Sequence, residues 1–183
     1  MIYCRECGKE LPDTANFCSD CGAQQGDSEE WYRLGEKYDN GDGVPQDSDK
    51  ARQWYEKAAT LGHAGAQYSL GELYYWGEGV PRDYDIARKW YEKAATLGHS
   101  DAKYSLGFLY ENGQGVTRDY DIARYWYEKS AEHGNIDAQY SLGELYYYGK
   151  GVRKRYNKAR QWYEKAAAQG HEDAREKLRE LKM

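Results

Sequence analysis

The chain has 183 residues and a formal net charge of −5, with 26 Lys and Arg against 31 Asp and Glu and no long run of either sign. That balance makes nucleic acid a poor default partner, and no stretch approaches the roughly 20 apolar residues that cross a bilayer, so no membrane insertion is expected. Aromatic content is 15%, with 20 Tyr and 6 Trp, so much of the bulky surface carries a polar handle that suits packing and contact equally.

All 4 cysteines lie in the first 21 residues. Cys4-Arg-Glu-Cys7 and Cys18-Ser-Asp-Cys21 form two C-x-x-C pairs ten residues apart, each followed by a glycine. Two such pairs supply four thiolates, a closed tetrahedral set that favours one structural zinc over a catalytic one. Iron also accepts four thiolates, and a redox pair or a two-disulfide knot are the rival readings. So short a segment, with Ile2, Tyr3, Leu11 and Phe17 as its apolar residues, needs metal binding to fold. Its residues resemble the short zinc ribbon at the N-terminus of many bacterial proteins, and the resemblance implies a β-hairpin-like knuckle with a structural or protein-contact role. Arg5 and Lys9 face Glu6, Glu10, Asp13 and Asp20 in number, a balance unsuited to phosphate. Met1 runs directly into this motif with no basic-then-apolar leader, and the expectation is a cytoplasmic chain in a reducing compartment.

Residues 1–23 are thus read as a zinc module and 24–30 as a polar linker, with Ser28 as N-cap of the next helix. From Trp31 to Ala174 one 36-residue pattern recurs four times without a gap, as 31–66, 67–102, 103–138 and 139–174, and the second and third copies share 24 of 36 residues. Each copy must bury its apolar face by stacking on its neighbours. In the second, Ala66, Leu70, Leu73 and Gly77 mark a helix over about 64–76. A Gly-rich break follows, then Asp83 as N-cap of a helix to about Leu97, with Ala87, Trp90, Tyr91 and Ala94 on its apolar face. Gly98 supplies the stop, as Gly62, Gly134 and Gly170 do elsewhere. Gly71, repeated as Gly35, Gly107 and Gly143, marks close approach of a neighbouring helix. In the fourth copy Arg153-Lys154-Arg155 replaces the Pro-Arg-Asp of the second, so its second helix starts without the capping Asp. Residues 175–183 keep Leu178 and Leu181 in a charged frame, as a terminal capping helix would.

The pattern Ala66-x-x-x-Leu70-Gly71-x-x-Tyr74-x-x-Gly77-x-Gly79-Val80, then Ala87-x-x-Trp90-x-x-Lys93-Ala94-Ala95-x-x-Gly98, resembles the Sel-one-like repeat, a branch of the tetratricopeptide-like families. The resemblance implies an all-α fold, a right-handed α/α superhelix built as a solenoid of helical hairpins, acting as a non-catalytic adaptor or scaffold. Some secreted bacterial members carry a disulfide in each repeat, which these copies lack.

By the same resemblance, one strip of each first helix lines a concave groove for a protein or peptide. The strip comprises Tyr32, Glu36 and Asp39; Tyr68, Glu72, Tyr75 and Trp76; Tyr104, Phe108 and Glu111; and Tyr140, Glu144, Tyr147 and Tyr148. The Tyr32, Tyr68, Tyr104 and Tyr140 column equally suits packing between hairpins. The Asp39, Tyr75, Glu111 and Tyr147 column differs between copies, which a specific partner would require. His63, His99 and His171 stand beside helix-ending glycines, where a cation complements the helix dipole. A zinc-dependent enzyme and a nucleic-acid regulator acting through the ribbon are the alternatives. Against the enzyme, no nucleophile with a base stands out from the repeat background.

Overall fold

The structure, a computed structural model, describes residues 2–3, 10–12, 17, 19–21 and 26–181. It divides into two compact units, Met1–Gln67 and Tyr68–Met183.

In the first unit, β1 (Ile2–Tyr3) pairs antiparallel with β2 (Glu10–Leu11), Ile2 opposite Leu11 and Tyr3 opposite Glu10. The two strands flank, in sequence, the segment that carries Cys4 and Cys7. Helices α1 (Ser28–Asn40) and α2 (Ser48–Thr60) then form a hairpin. The N-cap of α1 is Asp27 and not Ser28: Asp27 Oδ1 accepts the Glu30 N–H at 2.8 Å. A carboxylate both accepts that bond and complements the positive helix end, whereas a serine does only the first.

Helix α3 (Ala64–Trp76) spans the division between the units. The second unit continues with α4 (Tyr84–Thr96), α5 (Ser100–Asn112), α6 (Tyr120–Ala131), α7 (Ile136–Tyr148), α8 (Tyr156–Ala168) and α9 (Glu172–Glu180). Its cores join the second helix of one hairpin to the first helix of the next. Ala87, Tyr91 and Ala94 of α4 pack with Leu106 and Leu109 of α5, and Ala123, Tyr127 and Ala131 of α6 with Leu142 and Leu145 of α7. The last core, with Tyr163 and Ala166 of α8, is covered by Ala174, Leu178 and Leu181 of the α9 segment. Stacking of this kind is how a repeat buries a face that it cannot bury alone.

The second helices start where the aspartates stand. Asp83 Oδ1 accepts from Ile86 N at 3.0 Å and Asp119 Oδ1 from Ile122 N at 3.0 Å. Helix α8 has Arg155 at that position with no side-chain cap bond. It forms regardless because Ala159, Tyr163 and Ala166 are fully buried on its inner face. Of the apolar face expected for α4, Ala87, Tyr91 and Ala94 are buried while Trp90 is half-buried, with Lys93 Nζ 3.7 Å from its ring centroid.

The closest packing in each hairpin sets a first-helix glycine against a second-helix tyrosine. The pairs are Gly35 with Tyr55, Gly71 with Tyr91, Gly107 with Tyr127 and Gly143 with Tyr163. A Cβ on Gly107 would lie 2.5 Å from Tyr127 Cδ1 and 3.1 Å from the Ala123 carbonyl oxygen. Gly115 has a second requirement, since its φ is +64° and a Cβ there would meet Tyr84 Cβ at 2.8 Å. The four tyrosines are at most 1% exposed. Each hydroxyl nevertheless donates to a carboxylate: Tyr55 to Asp39 at 3.0 Å, Tyr91 to Glu72 at 2.6 Å, Tyr127 to Glu111 at 2.8 Å and Tyr163 to Glu144 at 2.5 Å. A buried phenol without an acceptor would carry its full desolvation cost.

Gly107→Ala should destabilise the chain, because overpacking costs about 1–3 kcal/mol against about 1 kcal/mol of helix propensity regained. Urea unfolding followed by circular dichroism should show a lower midpoint. The buried tyrosines also predict alkaline sensitivity. Burial first, and then the Glu72, Glu111 and Glu144 carboxylates, push the phenols of Tyr91, Tyr127 and Tyr163 above their ordinary value of 10.0. Above about pH 10 the unfolded chain ionises them and the folded chain does not, so the unfolded state binds fewer protons and stability falls as pH rises. Tyr127→Phe should flatten that fall by about 1 kcal/mol between pH 10 and 11, read from unfolding curves, because an unfolded phenol goes from about half to about nine-tenths ionised over that interval.

Candidate functional site

The column of Tyr68, Tyr104 and Tyr140 is half-buried, and so is Tyr32 in the first unit. Tyr68 stacks on His99 with centroids 4.7 Å apart, Tyr140 on His171 at 4.3 Å, and Tyr32 on His63 at 4.4 Å. These imidazoles are N-caps. Nδ1 of His63, His99 and His171 accepts the backbone N–H of Ala66 at 3.1 Å, Ala102 at 3.3 Å and Ala174 at 3.3 Å. The expectation of cations at helix C-termini is therefore corrected: each ring presents an unprotonated nitrogen to the start of the next helix. At the fourth such position stands Asn135, which caps Ala138 N at 2.8 Å and donates to Asp101 at 2.7 Å. Tyr104 packs instead on Phe108 at 6.3 Å and Tyr127 at 5.6 Å.

The two variable columns follow the carboxylate that each buried tyrosine requires. Where Glu72 or Glu144 holds the phenol, the residue one turn on is Tyr75 or Tyr147. In the intervening copy Phe108 takes the first place and Glu111 the second, and Glu111 holds Tyr127. Acid and aromatic exchange places, so the variation has a cause within the hairpin. The next copy's loop matches the exchange: Tyr75 donates to Gln114 Oε1 at 3.1 Å, while Lys150 Nζ lies 2.9 Å from Glu111 Oε1. Glu111 is thereby occupied and only 16% exposed. Tyr147 packs on Tyr148, Tyr156 and Tyr163, with Lys177 Nζ 5.5 Å from its ring.

A pocket of about 290 Å³ opens in the second unit between the C-terminal half of α3, α5 and the start of α7. Of the residues expected to line a groove, it brings together Tyr68, Glu72, Tyr75, Trp76, Tyr104 and Phe108. Glu111, Tyr140, Glu144, Tyr147 and Tyr148 are not among its lining, and Tyr32, Glu36 and Asp39 belong to the first unit. Tyr91, Asp101, Ser105, Asn135 and Asp137 complete the lining. Sequence reading missed Tyr91, Asp101, Asn135 and Asp137 because they sit in another helix or at helix starts, and stacking alone brings them to the same place; Ser105 lies beside Tyr104 on α5. The substitution of Asn135 for histidine was the one available signal.

Aromatic edges form a continuous wall: Tyr75 meets Trp76 at 4.8 Å and Phe108 at 6.5 Å, both edge-on. Three carboxylates line the pocket and no Lys or Arg does. Glu72 accepts from Tyr91 and, at 3.2 Å, from Trp76 Nε1. Asp101 accepts from Asn135, and Asp137 lies 3.7 Å from His171 Nε2. Burial, and then the Asp137 carboxylate, pushes the Tyr104 phenol up to about 12, and burial with Glu72 and Asp101 raises that of Tyr68.

Of the four cysteines expected to bind metal, Cys4, Cys7 and Cys18 lie outside the described residues, and Cys21 is exposed. Four thiolates in two C-x-x-C pairs fit the tetrahedral sulfur coordination of a structural zinc.

A zinc-ribbon domain model matches residues 3–25. Among solved structures, the chain is similar to a Sel1 repeat protein from Oxalobacter formigenes, with 39% identity and a TM-score of 0.80 over 83% of this chain and 62% of that one. It is similar also to a protective antigen present in uropathogenic Escherichia coli strains and displaying an SLR fold, with 43% identity and a TM-score of 0.80 over 82% of this chain and 32% of that one. Helicobacter pylori cysteine rich protein B matches at 32% identity and a TM-score of 0.56, over 73% of this chain and 96% of that one. This chain thus spans less than two thirds of the first two proteins. No curated protein matches it significantly. With the Sel1 repeat model matching residues 32–63, 64–99, 100–135 and 136–171, the stacked hairpins are Sel1 repeats and the chain belongs to that family.

Proposed function

We propose that the chain is a non-catalytic interaction scaffold which holds a segment of a partner protein in the pocket between α3, α5 and α7. Sel1-repeat proteins are typically protein-interaction scaffolds. The carrying observation here is the composition of the pocket, an open aromatic wall with Trp76 63% exposed at its rim. An exposed ring of that size gains most when a partner covers it. A hydrolytic reading finds little support in the lining. Ser105 is its one hydroxyl of nucleophile type, Tyr68 stands beside it, and no histidine or lysine lines the pocket to take its proton. The acidic lining repels phosphate, so nucleic acid is not the partner expected.

Residues 1–23 act in this reading as a ribbon in which Cys4, Cys7, Cys18 and Cys21 hold one structural zinc. The segment 24–30 leads from it to the four repeats of 31–174, and 175–183 caps the stack. Thiols kept available for metal imply a reducing compartment, for which the cytoplasm is the natural choice. Among the described residues, no helix is long and apolar enough to cross a membrane.

A photo-crosslinking residue at Trp76 should couple to a defined partner segment, while the same residue at Lys89, exposed on α4 and outside the pocket, should not. Trp76→Ala with Phe108→Ala should reduce capture of that partner by about tenfold or more without loss of helicity. Equal coupling from both positions would remove the pocket assignment. For the ribbon, native mass spectrometry should find one zinc per chain. Cys18→Ser or a chelator should remove it while leaving the helical signal nearly intact, because no cysteine lies in the repeats.

A further inference from the structure

We infer that the pocket selects for positive charge, taking a lysine or arginine side chain from an extended segment of the partner. This inference rests on the scaffold reading above and narrows it. Charge complementarity carries the argument. Along α4 and α6, carboxylates are matched by cations of the same helix: Arg88 lies between Asp85 and Glu92, and Arg124 between Asp121 and Glu128. In the pocket, Glu72 and Asp101 instead take neutral donors from Tyr91, Trp76 and Asn135, and the lining holds no Lys or Arg. Hydrogen bonds of this kind satisfy oxygen lone pairs but leave the negative charge uncompensated.

The aromatic wall adds the second half of the recognition. The face of an indole or phenol ring attracts a cation. This chain uses that attraction on its own surface, where Lys93 lies 3.7 Å from the Trp90 centroid and Lys165 4.1 Å from that of Trp162. Trp76, by contrast, donates its N–H to Glu72, meets Tyr75 in a T-shaped contact, and remains 63% exposed. A lysine or arginine stem laid between Trp76 and Phe108 would cover apolar surface while its charged head reaches Asp101 and Asp137. A pocket of about 290 Å³ admits one or two such side chains and not a folded domain. An acidic or phosphorylated segment would meet three like charges there.

The test uses the full zinc-loaded chain and three synthetic peptides with one glycine-serine frame, bearing lysine, glutamine or glutamate at the same positions. Calorimetric titration should show the lysine peptide binding about tenfold or more tightly than the other two, and weakening as salt is raised. Asp101→Asn with Asp137→Asn should weaken the lysine peptide by about tenfold. These are exposed side chains, so the helical signal should hold. Glu164→Gln with Glu176→Gln, exposed acids outside the pocket, is the control and should change nothing. Equal binding of the lysine and glutamine peptides, no binding of the lysine peptide at millimolar concentration, or equal weakening by the control pair would each overturn the cation selectivity. Crosslinking from Trp76 that persists in any of those cases would show that the scaffold reading survives while its cationic specificity does not.

Discussion

A tyrosine ring seated on a glycine is the contact on which the rest of the repeat depends. Gly107 leaves no room for a β-carbon beneath the Tyr127 ring, and the same relation holds at Gly71 with Tyr91 and Gly143 with Tyr163. The two helices of a hairpin approach at the distance set by one aromatic thickness. Because the ring is buried, its hydroxyl needs an acceptor, and the opposing helix supplies a carboxylate. The packing of one residue thus dictates a charged residue on another helix.

That dictated carboxylate explains much of how the pocket came to be lined. In the second copy Glu72 holds Tyr91 and leaves Tyr75 and Trp76 for the wall. In the third, Glu111 holds Tyr127 from one turn further along, which frees the earlier position for Phe108. The two arrangements lie side by side, so an aromatic cluster forms where they meet. Lys150 answers Glu111 and Gln114 answers Tyr75, so each loop is matched to the copy before it and the order of the copies is chemically marked. Asn135 completes the opening. At the equivalent positions a histidine caps the next helix and stacks on the tyrosine column, whereas asparagine caps with a smaller group and leaves Tyr104 to the pocket.

The histidines show how one residue type supports opposite expectations. Beside a glycine that ends a helix, His99 reads as a cation for the dipole of that helix. It stands equally at the beginning of α5, and there its Nδ1 accepts the Ala102 N–H. With only Gly98 to turn the chain, a single residue serves as both the end of one connection and the cap of the next. Accepting a backbone proton fixes which nitrogen is bare, and that decides the role.

Periodicity alone determined the helices, since every 36-residue copy states its glycine stops and its apolar stripe in the same register, and the first three also state the capping aspartate, as Asp47, Asp83 and Asp119. The start of α3 at Ala64 and the start of α8 at Tyr156, after an Arg155 that makes no cap bond, follow from local residues, because helix boundaries are set by the few groups within one turn. The pairing of Glu72 with Tyr91 and of Glu111 with Tyr127 was not legible. Their spacings of 19 and 16 residues cross a loop, and only the closed hairpin reveals which acid a phenol reaches. Asp101 and Asp137 joined the site for the same reason: each lies in a first turn that reads as ordinary capping, and stacking of successive copies brings both to the pocket. Sequence by itself determined the repeating unit, the four thiols and the aromatic supply; tertiary structure decided which aromatics stay exposed and which carboxylates gather beside them, because those depend on contacts between helices that local residue order does not encode.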